Sequence, residues 1–128
     1  MPNLNCTTPE QSKVLIRLGL NAKTADCYWD YDVQKHEYYP MFMDDQYDDL
    51  CIPAWSLNAL IGLMPKIAGN YPVLARWVSG DYLMEYVDLN ESGECKPKRT
   101  EFKDTPLDAA YEMMCWLMKE GYVEDASK

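Results

Sequence analysis

Asp104-Thr105-Pro106-Leu107-Asp108-Ala109-Ala110-Tyr111-Glu112-Met113-Met114-Cys115-Trp116-Leu117-Met118-Lys119-Glu120-Gly121 carries the start and the stop of one helix. Thr105 is a good N-cap, because its hydroxyl can accept from an orphan backbone N–H. Pro106 suits the first helical position, where a missing N–H costs nothing. Asp108 stands where a capping box places its second member, and its charge suits a helix N-terminus. Gly121 can take the left-handed turn that closes the helix. At about 100° per residue, Asp108, Glu112 and Lys119 fall in one narrow sector. Leu107, Ala110, Tyr111, Met113, Met114, Leu117 and Met118 fill the opposite side, with Ala109 and Trp116 at its margin. That arc exceeds half the circumference, more than one sheet face needs, so cover on two sides is expected. The Ser56–Met64 helix is the default second cover, and a second copy of the chain is the alternative.

Working outward, Val73–Val78 and Tyr82–Val87 flank Ser79-Gly80-Asp81 and read as a hairpin. A two-residue turn at Gly80-Asp81 predicts Trp77 opposite Met84 and Arg76 opposite Glu85. Val73, Ala75, Trp77, Met84 and Tyr86 then share a face toward the last helix. After a turn at Asn90-Glu91-Ser92-Gly93, Cys95–Phe102 reads as an edge strand, because Lys96, Pro97, Lys98 and Arg99 are edge guards. Toward the N-terminus, Thr8-Pro9-Glu10-Gln11 starts a helix that runs to about Leu18 and stops at Gly19, with Leu20 folding back on Val14, Leu15 and Leu18. Thr24-Ala25-Asp26 caps a short turn. Cys27–Tyr31 alternates as a strand, with a turn at Asp32–Lys35 and a return over His36–Tyr39 that Pro40 ends. Residues 40–51 read as a loop. Ser56 caps a helix bearing Leu57, Leu60, Ile61 and Met64, which Pro65 stops. The fold class is α+β: one domain over residues 1–128, an antiparallel meander of three to five strands, about three helices, and the C-terminal helix packed on the sheet.

The chain has 128 residues, 48% of them hydrophobic, which is enough for a core of its own. Its formal charge is −9. That charge disfavours direct nucleic-acid binding and anionic membrane surfaces. Cys6, Cys27, Cys51, Cys95 and Cys115 show no CxxC spacing, and the opening Met-Pro-Asn-Leu-Asn-Cys lacks the pattern of a secretory signal. They read as reduced thiols of a cytoplasmic protein. The weakly polar run Ile52–Met64 is too short to span a bilayer.

Acids cluster at Asp26, Asp30, Asp32, Glu37, Asp44, Asp45, Asp48 and Asp49. Asp30-x-Asp32 opens like a calcium loop, but Lys35 stands where the loop needs glycine and Met41 where it needs glutamate. Cys27, His36 and Cys51 have no zinc spacing. No metal or cofactor is expected. His36 is the single histidine, and a Cys/His pair with Cys27 or Cys51 is the one conceivable nucleophilic arrangement. Without a nucleophile elbow, phosphate loop, dinucleotide fingerprint or HExxH, no catalytic residue is assigned. Lys96, Lys98, Arg99 and Lys103 form the one basic stretch and read first as edge protection. Tyr28, Trp29, Tyr31, Tyr38, Tyr39, Tyr47 and Trp55 lie close together among the aspartates. Tyr and Trp are enriched at protein interfaces, so these seven, with Trp116, are the candidate partner-binding residues.

Leu18-Gly19-Leu20 with Thr24-Ala25-Asp26, Ile52-Pro53-Ala54-Trp55-Ser56-Leu57, and Thr105–Glu112 running to Cys115-Trp116-Leu117 resemble small proteins encoded by prophages and mobile elements of gut Bacteroidetes. The resemblance implies a cytoplasmic bacterial or phage setting and supplies no catalytic residue. The function expected from the residues is a non-enzymatic protein-interaction module with an unknown protein partner, homodimerisation through Trp116 being one option. The alternatives are an acidic nucleic-acid mimic that inhibits a DNA-binding enzyme, and a small Cys/His enzyme.

Overall fold

In the computed structural model, residues 5–67, 69–86 and 98–123 are described. They form α1 (Pro9–Arg17), β1 (Cys27–Asp32), β2 (Glu37–Phe42), β3 (Ile52–Ala54), α2 (Leu57–Leu63), β4 (Val73–Arg76), β5 (Tyr82–Tyr86), β6 (Lys98–Arg99) and α3 (Pro106–Lys119). The class is α+β with antiparallel strands. The strands form two sheets, in the orders β2-β1-β3 and β4-β5-β6, where the sequence suggested one meander.

The helix ends are made by the residues whose chemistry demands it. Thr8 and Gln11 exchange hydrogen bonds in a full capping box at α1. The Leu20 N–H reaches back to the Leu15 carbonyl, which closes α1 and buries Leu20. In α3 the Asp108 N–H donates to Thr105 Oγ1 at 3.1 Å. The Asp108 carboxylate takes the Gln11 Nε2–H at 2.9 Å, so the starts of α1 and α3 are tied to each other. Gly121, at φ 80°, lets the Tyr122 N–H reach the Leu117 carbonyl and end α3. At α2, Ser56 Oγ accepts the Ala59 N–H while the Asp26 carboxylate accepts both the N–H and the hydroxyl of Ser56. One aspartate thereby fixes the start of α2 beside the start of β1.

α3 packs on β5 and α2, with further contacts to α1 and β4, which is why its apolar arc is so wide. Leu107, Ala109, Ala110, Met113, Met114, Leu117 and Met118 are buried there with Leu15, Trp55, Leu60, Met64, Met84 and Tyr86. α2 supplies the second cover, so the helix is enclosed by its own chain. Ala109 is fully buried and does not lie at a margin. Trp116 is half-buried, its ring 6.3 Å from Tyr86 and 5.4 Å from Tyr122. A smaller cluster of Cys6, Cys27 and Ala54, with Trp29 against it, lies at the first sheet.

Three local expectations are corrected. First, the hairpin register pairs Leu74 with Met84 and Arg76 with Tyr82, not Arg76 with Glu85. The loop is longer than two residues: the Gly80 N–H donates to the Trp77 carbonyl and the Trp77 N–H to Asp81. Gly80, at φ 92°, closes that four-residue turn instead of opening a tight one. The shift is odd, so β4 is turned over relative to β5 and Trp77 stands 46% exposed against Phe102 instead of facing α3. Glu85 pairs with Arg99 at 3.1 Å, an exposed contact worth about 0–1 kcal/mol. Second, β2 continues through Pro40 to Phe42. Proline lacks an N–H but is tolerated on an edge strand, and β2 is one. Third, Ile52–Ala54 is a strand pairing with β1, where the sequence suggested only the approach to α2. β6 stands at the edge of its sheet as expected; Cys95, Lys96 and Pro97 of that reading, and the turn before them, lie outside the described residues.

Candidate aromatic surface on the first sheet

Strand alternation sorts the first sheet into two faces. Cys27, Trp29 and Tyr31 of β1 lie opposite Phe42, Pro40 and Tyr38 of β2, and Cys27 and Trp29 lie opposite Ala54 and Ile52 of β3. This face is apolar throughout. One end is closed by the Cys6–Cys27–Ala54 cluster, where the Trp29 Nε1–H donates to the Thr7 carbonyl at 2.8 Å. At the other end Tyr31 is 43% exposed and Tyr38 40%. Phe42, on the edge strand opposite Cys27, is 63% exposed. The Tyr31 and Tyr38 rings pack edge to face with centroids 5.0 Å apart, as cross-strand aromatic neighbours do.

The opposite face carries Tyr28, Asp30 and Asp32 beside Met41, Tyr39 and Glu37. Its aromatic residues serve the chain itself. Tyr28 is buried, donates its hydroxyl to Asp44 at 2.7 Å and packs on Tyr47 at 5.5 Å. Burial and the Asp44 contact hold that phenol well above its ordinary pKa. The Tyr39 hydroxyl donates to Asp30 at 3.1 Å. Trp55 is wholly interior, its Nε1–H on Thr24 Oγ1 at 3.0 Å. Of the eight sequence candidates, Trp29, Tyr31 and Tyr38 therefore share the apolar face. Tyr28, Tyr39 and Tyr47 gather around the acidic side, Trp55 is core, and Trp116 lies apart on α3. Phe42, Pro40 and Ile52 belong to the apolar face and were missed. The period-2 pattern running on past Pro40 was the signal for Phe42.

The acids of this region are largely occupied. Asp32, Asp44 and Asp48 accept backbone N–H groups of their own turns. Cys51 is buried, with its Sγ 3.5 Å from Asp48 Oδ1. His36 is exposed in the β1–β2 turn at φ 55°. Among the described residues no group of three or more His, Cys, Asp or Glu side chains is placed to hold a metal ion. Nor is any helix of those residues long and apolar enough to cross a membrane.

The described thiols are the opposite of activated nucleophiles. Burial pushes Cys6 up to about 11 and Cys27 up to about 12. Burial also raises Cys51 and Cys115. Cys115 borders an open cleft of about 390 Å³ between α1 and α3, lined also by Gln11, Lys103, Asp108, Tyr111 and Glu112. The polar groups there are spent on one another: Gln11 on Asp108, and Lys103 beside Glu112, whose other oxygen takes the Glu101 N–H.

Thiols and phenols raised in this way set an alkaline limit. Cys6, Cys27, Tyr86 and Tyr111 all ionise higher in the fold than unfolded, the two tyrosines at about 12. The folded state therefore holds more protons than the unfolded state above pH ~9, and stability falls as pH rises. Their contribution is whole below the unfolded thiol range and is lost as pH climbs through the folded values. The urea midpoint should stay level from pH ~7 to ~8.5 and drop progressively toward pH ~11.

No family model, no curated protein and no solved structure matches this chain.

Proposed function

We propose that this chain is a non-enzymatic protein-interaction module that docks a basic protein partner on the Tyr31–Tyr38–Phe42 face of its first sheet. The observation that carries this reading is the exposure of those three rings on one side of the sheet, Tyr31 and Tyr38 beyond Trp29 and Phe42 on the edge strand opposite Cys27. Rigid aromatic anchors supply most of the binding energy at protein interfaces, at low cost in conformational entropy. The sign of the partner's charge follows from the surround. Residues 26–49 hold eight acids, Asp26, Asp30, Asp32, Glu37, Asp44, Asp45, Asp48 and Asp49, against Lys35 alone. Carried on the opposite face of the sheet and in the 44–49 loop, that charge attracts a basic surface to this part of the chain and repels an acidic one or a nucleic acid. A cytoplasmic prophage or mobile-element setting belongs to the same reading. The protonated thiols, the exposed His36 and the self-paired cleft give no support to an enzyme.

The test compares immobilised wild type with a Tyr31→Ser/Tyr38→Ser/Phe42→Ser variant in capture from the native host. All three positions are exposed, so the variant should keep its fold by circular dichroism. The expected result is a basic protein held by wild type, released as salt rises from about 50 to about 500 mM, and absent from the variant. A protein captured equally by both, or an acidic one, would overturn the reading.

A further inference from the structure

We infer that two copies of this chain pair edge to edge through β4, antiparallel about a two-fold axis at Ala75, joining their second sheets into one. This goes beyond the aromatic surface of the first sheet and uses none of its residues. β4 is the outer strand of its sheet, and among the described residues no strand pairs with its free edge. The other sheet guards both its edges: β2 carries Pro40, and β3 carries Pro53 and runs on into Trp55-Ser56, which the Cys6–Thr7 segment bridges. β4, Val-Leu-Ala-Arg, has no proline and no bridging segment within the strand, and its one charge, Arg76, lies at its end.

The direction of its backbone groups is fixed. The N–H and C=O of Trp77 both point to the β5 side, on Asp81 and Gly80. By alternation those of Ala75 and Val73 do too, and those of Leu74 and Arg76 point outward. An antiparallel pair centred on Ala75 sets Leu74 against the second copy's Arg76, and Arg76 against the second copy's Leu74. Each of these is a pair in which both residues face outward, so all four outward N–H groups find carbonyls. The same register sets Val73 against the second copy's Trp77, twice. Val73 and Trp77 are each 46% exposed in the single chain. One register thus satisfies the edge and covers its two exposed apolar side chains, as a two-fold interface must. Charge allows it here. Residues 71–82 hold Arg76 and Asp81, one of each sign, whereas two surfaces from residues 26–49 would repel.

The test is sedimentation together with register-specific cross-linking. Wild type should sediment as a dimer at high micromolar concentration, and a wild-type monomer there would overturn the inference. Ala75→Cys places two thiols across the two-fold at a non-hydrogen-bonded pair, the closest kind. It should cross-link to a covalent dimer under mild oxidation by oxidised glutathione. Two thiols combine to one disulfide as the glutathione disulfide is reduced to two glutathione thiols. Val78→Cys, displaced from the axis, should cross-link at least tenfold more slowly. Equal rates, or no Ala75→Cys dimer, would contradict the register. Arg76→Pro removes an outward N–H and takes nothing from the β4–β5 ladder, so it should yield a folded monomer. Trp77→Lys, at an exposed position, gives the same readout should Arg76→Pro not fold. Dimers persisting in a folded variant of both kinds would sink the proposal.

Discussion

Replacing Trp55 by Ala should lower the free energy of unfolding by about 3–5 kcal/mol, the range for emptying a buried aromatic site. Trp55 is fully buried, and three parts of the chain meet on it. Its indole N–H donates to Thr24 Oγ1, its backbone N–H to Thr7 Oγ1, and its carbonyl accepts the Thr7 N–H. The alanine variant keeps the two backbone bonds and loses the ring that ties Thr24 to the core. A small domain has only about 5–15 kcal/mol in hand, so this change should bring it close to unfolding at body temperature. Trp55→Phe separates bulk from polarity. It keeps most of the volume and leaves Thr24 its second bond, to the Asn21 carbonyl. Its cost should be nearer 1–2 kcal/mol by the usual worth of one hydrogen bond with modest repacking, roughly. Urea titration followed by tryptophan fluorescence reads both.

Met113→Glu should be the more severe change. Met113 is fully buried at the middle of α3, the helix that packs on β5 and α2. It belongs to the apolar cluster that fills the core, with Leu15, Leu60, Met84 and Tyr86. A carboxylate placed there must be buried unpaired or must take up a proton. Its pKa would rise, so the folded state would bind a proton that the unfolded state releases, and the variant would lose stability as pH rises. Any residual structure at pH ~5 should be gone by pH ~8. Wild type should show no loss across that interval, because its own raised groups titrate higher. A variant as stable at pH ~8 as at pH ~5 would show that α3 is not enclosed.

What could be read from the chain and what could not divide along a physical line. Helix ends are local chemistry, so Thr8, Ser56 and Thr105 as N-caps were legible, and the width of the α3 arc announced its two covers. Strand register is non-local. Gly80 with a positive φ fits either a two-residue turn or the close of a longer one. Val73, Leu74 and Ala75 are apolar at both parities, so hydrophobic alternation could not choose between them. Pro40 read as a stop because an edge strand cannot be told from a central one before its neighbours are known, and Phe42 was lost behind it. Tyr and Trp have an apolar body and a polar tip. Their clustering picked out one third of the chain but could not separate Trp55, satisfied inside by Thr24, from Tyr31 and Tyr38 outside.

The central claim is that the open face of β1 and β2 is the surface this protein presents to another. Amide hydrogen exchange of the chain alone and bound to its captured basic partner tests it most directly. Slowed exchange in the complex, concentrated between Tyr31 and Phe42, is the predicted result. Unchanged exchange there, with protection appearing along α3 or around the Gln11–Asp108 cleft, would contradict the account.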